Sequence, residues 1–186
     1  MVKKLPKYFK SWQLKAILNA PHREDGGLEY RDWLIMQTLA KTGLRASELG
    51  NLKVRDIDFQ AELITVREGK GGKDRVIPLH PQLSEWLHEW LSGSVDGYVF
   101  LSQQGNPIST RTLNNIVRKY AKRAGIPAEL AHPHTFRHTF AVQCLKAGMN
   151  LRTVQKMLGH ASLTTTQIYL DVTGEDIKED FQAHLP

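Results

Sequence analysis

The spacing of apolar residues along most of this chain is that of α-helices. Apolar positions recur every three or four residues, and serine, threonine or asparagine often precedes such a segment while glycine follows it. The Thr42-Gly43 pair, for example, reads as the stop of a long helix. The predicted helices cover residues 12–20 (capped by Ser11), 28–41, 46–52, 81–91, 110–124, 134–147, 151–158, 162–170 and 176–183.

One segment, residues 56–79, has a different texture. The β-branched runs LITV and RVIPL are separated by the glycine-rich EGKGGKD, which predicts two strands joined by a turn. The run YVFL at 98–101 is interpreted as the third strand. The pattern therefore predicts an α+β fold, mostly helical, with a small antiparallel three-stranded β-sheet.

Composition narrows the class of protein. The 186 residues suffice for one compact domain, and 25 Lys and Arg outnumber 19 Asp and Glu to give a net charge of +6. The single cysteine, Cys144, allows no internal disulfide, and the basic N-terminus leads into no apolar signal region. We expect a cytoplasmic protein with no membrane segment and with a polyanionic partner.

Several cations and one tyrosine suggest phosphoryl transfer. The phenol of Tyr169 has an unperturbed pKa of about 10, so it needs a base or a positive setting before it can attack phosphorus. Arg45 and Arg137 offer paired N–H donors that match two phosphate oxygens. His134 lies three residues before Arg137 and therefore shares its helix face. Each residue alone is ordinary, so the hypothesis depends on the whole set.

Two further candidates handle protons. Lys70, in the glycine-rich turn, can reach a leaving oxygen as a general acid. His160 follows a glycine at a predicted helix end and can donate to a phosphate oxygen.

Five motifs in one order carry a family resemblance. TGLRASEL, GKGGKDRVIPL, HTFRHTFA, LGH and a tyrosine nine residues after that histidine resemble the catalytic domain of the tyrosine recombinase (phage integrase) family. The resemblance covers about residues 11–181. It implies a site-specific DNA recombinase that cuts and rejoins DNA without metal, cofactor or ATP.

The resemblance also implies a role for each residue. Tyr169 attacks the scissile phosphate to form a 3′-phosphotyrosyl bond and releases a 5′-OH, while Arg45 and Arg137 hold the non-bridging oxygens. The other implied roles are protonation of the 5′ oxygen by Lys70, general base catalysis by His134, a phosphate hydrogen bond from His160 and support from Glu48. Lys73 competes with Lys70 for the acid role, but the GKG alignment favours Lys70.

The resemblance places the catalytic domain at residues 11–186, with a tail helix at 175–186. Residues 1–10 are then a basic lead or linker remnant, and no N-terminal core-binding domain precedes them. The chain is either an excised domain or a short recombinase of the fimbrial phase-variation type. The tail docks on a neighbouring protomer or folds back on its own core, and we expect a monomer in solution that assembles as a homotetramer on paired DNA sites.

Basic residues outside these motifs predict contact with the backbone of double-stranded DNA. Most are concentrated along the helix over 110–124, and one lies in the glycine-rich turn. The predicted DNA-binding residues are Lys73, Arg111, Arg118, Lys119, Lys122 and Arg123.

Three other functions remain open at this point. A type IB topoisomerase shares the phosphotyrosine chemistry. Such enzymes, however, have a lysine where this chain has His134, which argues against this alternative. A metal-binding module would use His132, His134 and His138, the last two at the i, i+4 spacing of helical zinc ligands. A DNA-binding protein without catalytic activity would retain the fold alone.

Overall fold

The computed structural model of the protein describes residues 6–22, 27–67 and 74–159. Its α-helices are α1 (Ser11–Leu18), α2 (Gly27–Thr42), α3 (Ala46–Gly50), α4 (Pro81–Leu91), α5 (Thr110–Arg123), α6 (Pro133–Lys146) and α7 (Leu151–Leu158). The strands are β1 (Ile57–Asp58), β2 (Leu63–Val66) and β3 (Arg75–Pro78). Short 3₁₀ turns cover Val54–Asp56 and Ala128–Leu130.

Helix α2 is the centre of the hydrophobic core. It packs against α1, α4 and α6, and residues 31–40 along it are all buried. A helix that is covered on every side must satisfy its own polar groups. Thr38 and Thr42 do so by donating their hydroxyls to carbonyls one turn back, those of Leu34 and Thr38.

The sheet confirms the predicted class and corrects one strand. Within the described residues it is antiparallel in the order β1-β2-β3, with Ile64 opposite both Ile57 and Ile77. The sheet is completed by β1, which precedes the two predicted strands in the chain. The prediction of a strand at 98–101 was therefore wrong. There the backbone of residues 98–101 forms only isolated bridges, to Lys53 and Pro107.

The misplacement has a physical cause. Val99 and Phe100 are apolar because they fill the core, and burial alone does not require a strand. Strand β1 spans only two residues, which is too short for an alternating pattern.

The helix ends agree closely with the predicted ones. Ser109 caps α5 by accepting a hydrogen bond from the Thr112 N–H. The cap of α1 is one residue earlier than predicted, since the Lys10 N–H donates to the Gln13 side chain. The helices predicted at 162–170 and 176–183 lie outside the described residues. Among the helices in the described ranges, none has the length and apolar character that a membrane crossing requires.

Candidate active site

Three arginines from different parts of the chain meet at the C-terminal end of α7. Each donates to one of three consecutive main-chain carbonyls at residues 157–159, which we call the α7 carbonyl end. The pairs are Arg75 Nε with Met157 O at 2.7 Å, Arg137 Nη2 with Leu158 O, and Arg45 Nη2 with Gly159 O at 3.3 Å. The last carbonyls of a helix have no partner within it and form the negative end of its dipole, so cations bind there favourably.

Gly159 makes this close approach possible. Its φ of +64° is left-handed, as is common for the residue that ends a helix. A Cβ at this position would lie 2.9 Å from the Cδ of Arg75. Glycine therefore avoids both strain in the left-handed backbone and a close contact with Arg75.

Glu48 joins two of the arginines. Arg45 is the N-cap of α3, and its N–H donates to Glu48 Oε2 at 2.7 Å while its Nη1 donates to Oε1 at 2.6 Å. Arg75 binds the same carboxylate with both terminal nitrogens, at 2.8 and 2.7 Å. The carboxylate of Glu48 thus accepts four hydrogen bonds.

These bonds keep Glu48 ionised. Burial by itself raises the pKa of this carboxyl. The hydrogen bonds from Arg75 and from the Arg45 N–H outweigh that effect and lower the pKa to about 2.

Arg137 is held more deeply, with 3% of its surface exposed. It lies on α6, and its Nη1 donates to Gly43 O at 2.7 Å. Gly43 has a φ of +63°, and a Cβ there would lie 2.5 Å from Phe140 Cδ1. The turn before Arg45 therefore packs directly on α6, which brings the two arginines to the same helix end.

His134 lies one turn before Arg137 on α6 and is exposed. The pKa of His134 is lowered by the partial burial of its ring and then by the charges of Arg137, His132 and Arg45. The lowered pKa of His134 favours the neutral imidazole, the form that can accept a proton. His138, one turn further along, has a pKa lowered to about 4, mainly by burial.

Comparison with known proteins agrees with this arrangement. A model of the phage integrase family matches residues 7–175. The chain belongs to the phage integrase family. This confirms the resemblance that the five motifs indicate.

Relatives in the family are named tyrosine recombinases. The chain is 41% identical over 182 residues to tyrosine recombinase XerA of Pyrococcus furiosus, covering 95% of this chain and 61% of the relative. It is 34% identical over 192 residues to tyrosine recombinase XerC of Listeria innocua, covering 98% of this chain and 63% of the relative. The chain therefore spans less than two thirds of the length of these proteins.

Solved structures of family members share the fold. The crystal structure of XerA recombinase superposes with a TM-score of 0.81 at 32% identity, covering 100% of this chain and 66% of that one. The XerH site-specific recombinase bound to its difH substrate superposes with a TM-score of 0.78 at 27% identity, covering 95% of this chain and 53% of that one.

The structure brings together some of the predicted residues of this family member and leaves others outside. Arg45, Glu48, Arg137 and His134 converge at the α7 carbonyl end or beside it. Lys70, Lys73, His160 and Tyr169 lie outside the described residues, so their roles stay predictions.

Arg75 is the residue that the sequence reasoning missed. The sequence predicts RVIPL only as a strand and indicates no separate role for its arginine. An arginine that opens a strand between a glycine-rich turn and an apolar run was the one available signal. Its side chain is 8% exposed, which a solvent-facing strand residue would not be.

The basic helix α5 presents two different faces. Arg111, Arg118 and Lys122 are exposed, and at seven and four residues apart they form one line along the helix. Lys119 and Arg123 point toward α2, where Arg123 binds both oxygens of Glu29 at 3.1 Å and Lys119 lies 3.5 Å from the same carboxylate. All five predicted DNA-binding residues of α5 are thus exposed, but Lys119 and Arg123 also form ion pairs with Glu29.

The three histidines of the metal-binding alternative do not form a ligand set. Among residues 6–22, 27–67 and 74–159, no group of three or more His, Cys, Asp or Glu side chains is placed to hold a metal ion. His132 contacts the hydroxyl of Thr135 at 3.2 Å, and the rings of His134 and His138 are stacked with centroids 6.3 Å apart.

Proposed function

We propose that this chain is the catalytic part of a site-specific tyrosine recombinase that cuts and rejoins double-stranded DNA. Residues 11–186 form the catalytic domain in this proposal, and Tyr169 is the nucleophile. The observation that carries the proposal is the convergence of Arg45 and Arg137 on the α7 carbonyl end, with His134 one helical turn before Arg137 on α6.

The reaction proceeds by direct attack on phosphorus. The Tyr169 Oη forms a bond to the scissile phosphorus, and its proton passes to the neutral imidazole of His134. The bond between phosphorus and the 5′ oxygen breaks, and Lys70 supplies the proton that the leaving oxygen needs. The product is a 3′-phosphotyrosyl bond and a free 5′-OH, and attack by another 5′-OH reverses the sequence without ATP.

Fixed positive charge is what the protein adds to this chemistry. During attack the phosphodiester changes from one negative charge toward two, so donors aimed at its non-bridging oxygens stabilise the transition state more than the ground state. Arg45 and Arg137 are each held by main-chain carbonyls, so little reorganisation is needed when DNA arrives. His160, which follows Gly159 in the sequence, adds a hydrogen bond to the phosphate in this proposal.

The DNA backbone is bound by the exposed line on α5. Arg111, Arg118 and Lys122 face solvent, as phosphate contacts require. Lys73, Lys119 and Arg123 are secondary candidates for the same contact. Solved relatives bound to DNA, such as the XerH recombinase with its difH substrate, support double-stranded DNA as the partner.

Assembly and location complete the proposal. We propose a monomer that forms a homotetramer on paired sites, with the segment 175–186 docking on a neighbouring protomer, in the cytoplasm. Cross-linking on DNA with and without this segment tests the docking: unchanged synapsis after its deletion excludes it.

The test of the proposed function is covalent capture. The full chain is incubated with a pool of duplexes that have a randomised central segment and a nick beside it, so that the short released strand diffuses away and traps the adduct. We expect the wild-type protein to become attached to DNA and Tyr169→Phe to remain free. Equal behaviour of the two proteins contradicts the proposal, and relaxation of supercoiled DNA without strand exchange on paired sites supports a type IB topoisomerase instead.

A further inference from the structure

Arg75 links three separate elements of the candidate active site. It begins β3, binds Glu48 of α3 with both terminal nitrogens and binds the Met157 carbonyl of α7 with Nε. Each of its three side-chain nitrogens donates to a protein acceptor, and its side chain is 8% exposed. An arginine in this position does not itself meet DNA, so any contribution to the reaction passes through the residues it holds.

The bonds of Arg75 determine how Glu48 can bind Arg45. A free carboxylate prefers to take an arginine in a fork, with both oxygens engaged. Here each oxygen of Glu48 already accepts from Arg75, and the guanidinium of Arg45 reaches the carboxylate through Nη1 alone. The Nη2 of Arg45 is left to contact Gly159 O at the α7 carbonyl end.

Charge leads to the same conclusion. Arg45 and Glu48 alone form a neutral pair, which attracts a phosphate weakly. With Arg75 the three residues carry one net positive charge, in a setting where Glu48 is 10% exposed and the charges are poorly screened.

We propose that Arg75 is a positioning residue for Arg45: it occupies Glu48 and fixes the end of α7, so that the Arg45 guanidinium stays aimed at the scissile phosphate. This rests on the proposed recombinase function. It predicts that loss of Arg75 weakens the interaction with the charged phosphate oxygens specifically.

The experiment compares two DNA substrates that differ in that charge. One is the nicked duplex recovered by covalent capture, and the other is the same duplex with a methylphosphonate at the scissile position, where a methyl group replaces one non-bridging oxygen. The neutral methylphosphonate depends less on stabilisation by a guanidinium than the charged phosphodiester does. A variant that acts through Arg45 should therefore slow adduct formation by a smaller factor on the methylphosphonate. Single-turnover formation of the adduct is measured at saturating DNA for the 186-residue chain and its variants.

We expect Arg75→Met to form the adduct on the order of 10- to 100-fold more slowly on the phosphodiester and less than about threefold more slowly on the methylphosphonate. Arg75→Lys keeps the charge but not the three-donor geometry. Its loss of rate should therefore be intermediate on the phosphodiester and smaller on the methylphosphonate. Arg45→Ala is the reference variant. If the Arg45 guanidinium holds the phosphate, this variant must lose a smaller factor in rate on the methylphosphonate than on the phosphodiester.

The structural control is Arg31→Met. Arg31 is likewise a buried arginine bound to a carboxylate, at 2.7 Å from Asp32, but it lies on α2 and contacts Leu101 O rather than α7. Arg31→Met should lower the midpoint of thermal unfolding and should slow adduct formation by the same factor on both substrates.

The outcomes separate the two proposals. If each Arg75 variant slows adduct formation equally on the phosphodiester and on the methylphosphonate, as expected for Arg31→Met, then Arg75 is only structural and the inference is overturned. If Arg45→Ala also shows no difference between substrates, the phosphate role of Arg45 fails and the inference fails with it. If the wild-type protein forms no adduct on any duplex, it is the recombinase function that fails.

Discussion

The α7 carbonyl end and the helix α5 both collect basic residues, yet they do so in opposite ways. At the α7 carbonyl end, Arg137 is buried, Arg45 and Arg75 are partly buried, and all three are bound to main-chain carbonyls. Arg45 and Arg75 also bind Glu48. On α5, the basic residues lie on one helix and are exposed, and two of them pair with Glu29 at its edge. The first region holds charge in fixed positions, whereas the second presents it to solvent.

The difference determines what each region can do. A guanidinium held in a poorly solvated site interacts strongly with a charge that develops nearby, and its orientation costs nothing during the reaction. An exposed cation is screened by salt and keeps its side-chain freedom, so it contributes to attraction and affinity rather than to a reaction step. We expect mutations in the two regions to affect different measurements.

The largest effect is expected from Arg137→Met. Removing the guanidinium deprives the buried carbonyls of Gly43 and Leu158 of a donor, and each buried unsatisfied group costs about 1–3 kcal/mol. The free energy of unfolding, from urea titration, should fall by about 2–6 kcal/mol. Arg118→Met on α5 is the matched control and should change it by less than about 0.5 kcal/mol; equal losses would contradict the contrast between the regions.

Acid stability distinguishes Glu48 from Glu29. The pKa of Glu48 is about 2 in the folded protein and 4.5 as its ordinary value, so folding favours the ionised form. Its contribution, up to about 3 kcal/mol, is present above pH 4.5 and is lost as the pH falls toward 2. The dependence of unfolding free energy on pH in this window should flatten in Glu48→Gln.

Glu29 is the comparison for that measurement. Its pKa is also lowered to about 2, with the hydrogen bond from Arg123 as the main cause, but its ion pairs lie at the surface, where salt screens them. Glu29→Gln should flatten the pH dependence of the unfolding free energy less than Glu48→Gln does. The difference between the wild-type protein and Glu29→Gln should also become smaller in high salt. A larger effect at Glu29 than at Glu48 would reverse our ranking.

Two glycines offer a similar test at the helix ends. Gly159 after α7 and Gly125 after α5 have φ values of +64° and +66°, so alanine costs about 1 kcal/mol of backbone strain at either. A Cβ at Gly159 also meets Arg75 at 2.9 Å, whereas at Gly125 nothing lies within 4 Å. Thermal unfolding should show Gly159→Ala as the more destabilised by about 1 kcal/mol or more; equal shifts would mean that Arg75 yields without cost.

The smallest effects concern the two faces of α5. Each lost phosphate contact lowers the slope of log affinity against log salt by about 0.9. The double variant Arg118→Ala/Lys122→Ala should therefore lower the slope by nearly 2 without changing stability. An unchanged slope excludes phosphate contacts on this line.

Lys119→Ala/Arg123→Ala is the control with the same change in charge on the same helix. Since these residues pair with Glu29, the variant should reduce thermal stability slightly and change the salt slope less. A larger change in slope than in Arg118→Ala/Lys122→Ala would place the DNA contact on the other face.

Much of the candidate site could be predicted from local sequence. Arg45 and Glu48 are three residues apart at the start of a helix, and His134 and Arg137 have the same spacing, so their geometry follows from the helical repeat. Helix α7 was predicted with its observed bounds, because asparagine and glycine mark its ends.

The parts that were missed depend on contacts between distant segments. Arg75 binds residues 27 and 82 positions away, and no local pattern encodes such a pairing. The division of α5 into two faces depends likewise on Glu29 of α2, 94 positions from Arg123. The apolar run at 98–101 was interpreted as a strand because burial, which is a tertiary property, resembles a strand signal in sequence.

The central claim is that the arginines at the α7 carbonyl end act on the reaction, whereas those on α5 act on binding. Single-turnover adduct formation across a range of DNA concentrations separates the two quantities for Arg45→Ala and for Arg118→Ala/Lys122→Ala. We predict that Arg45→Ala lowers the limiting rate by a factor on the order of 100 or more with little change in Kd, and that the α5 variant raises Kd at an unchanged limiting rate. A normal limiting rate in Arg45→Ala, or a reduced one in the α5 variant, would contradict it.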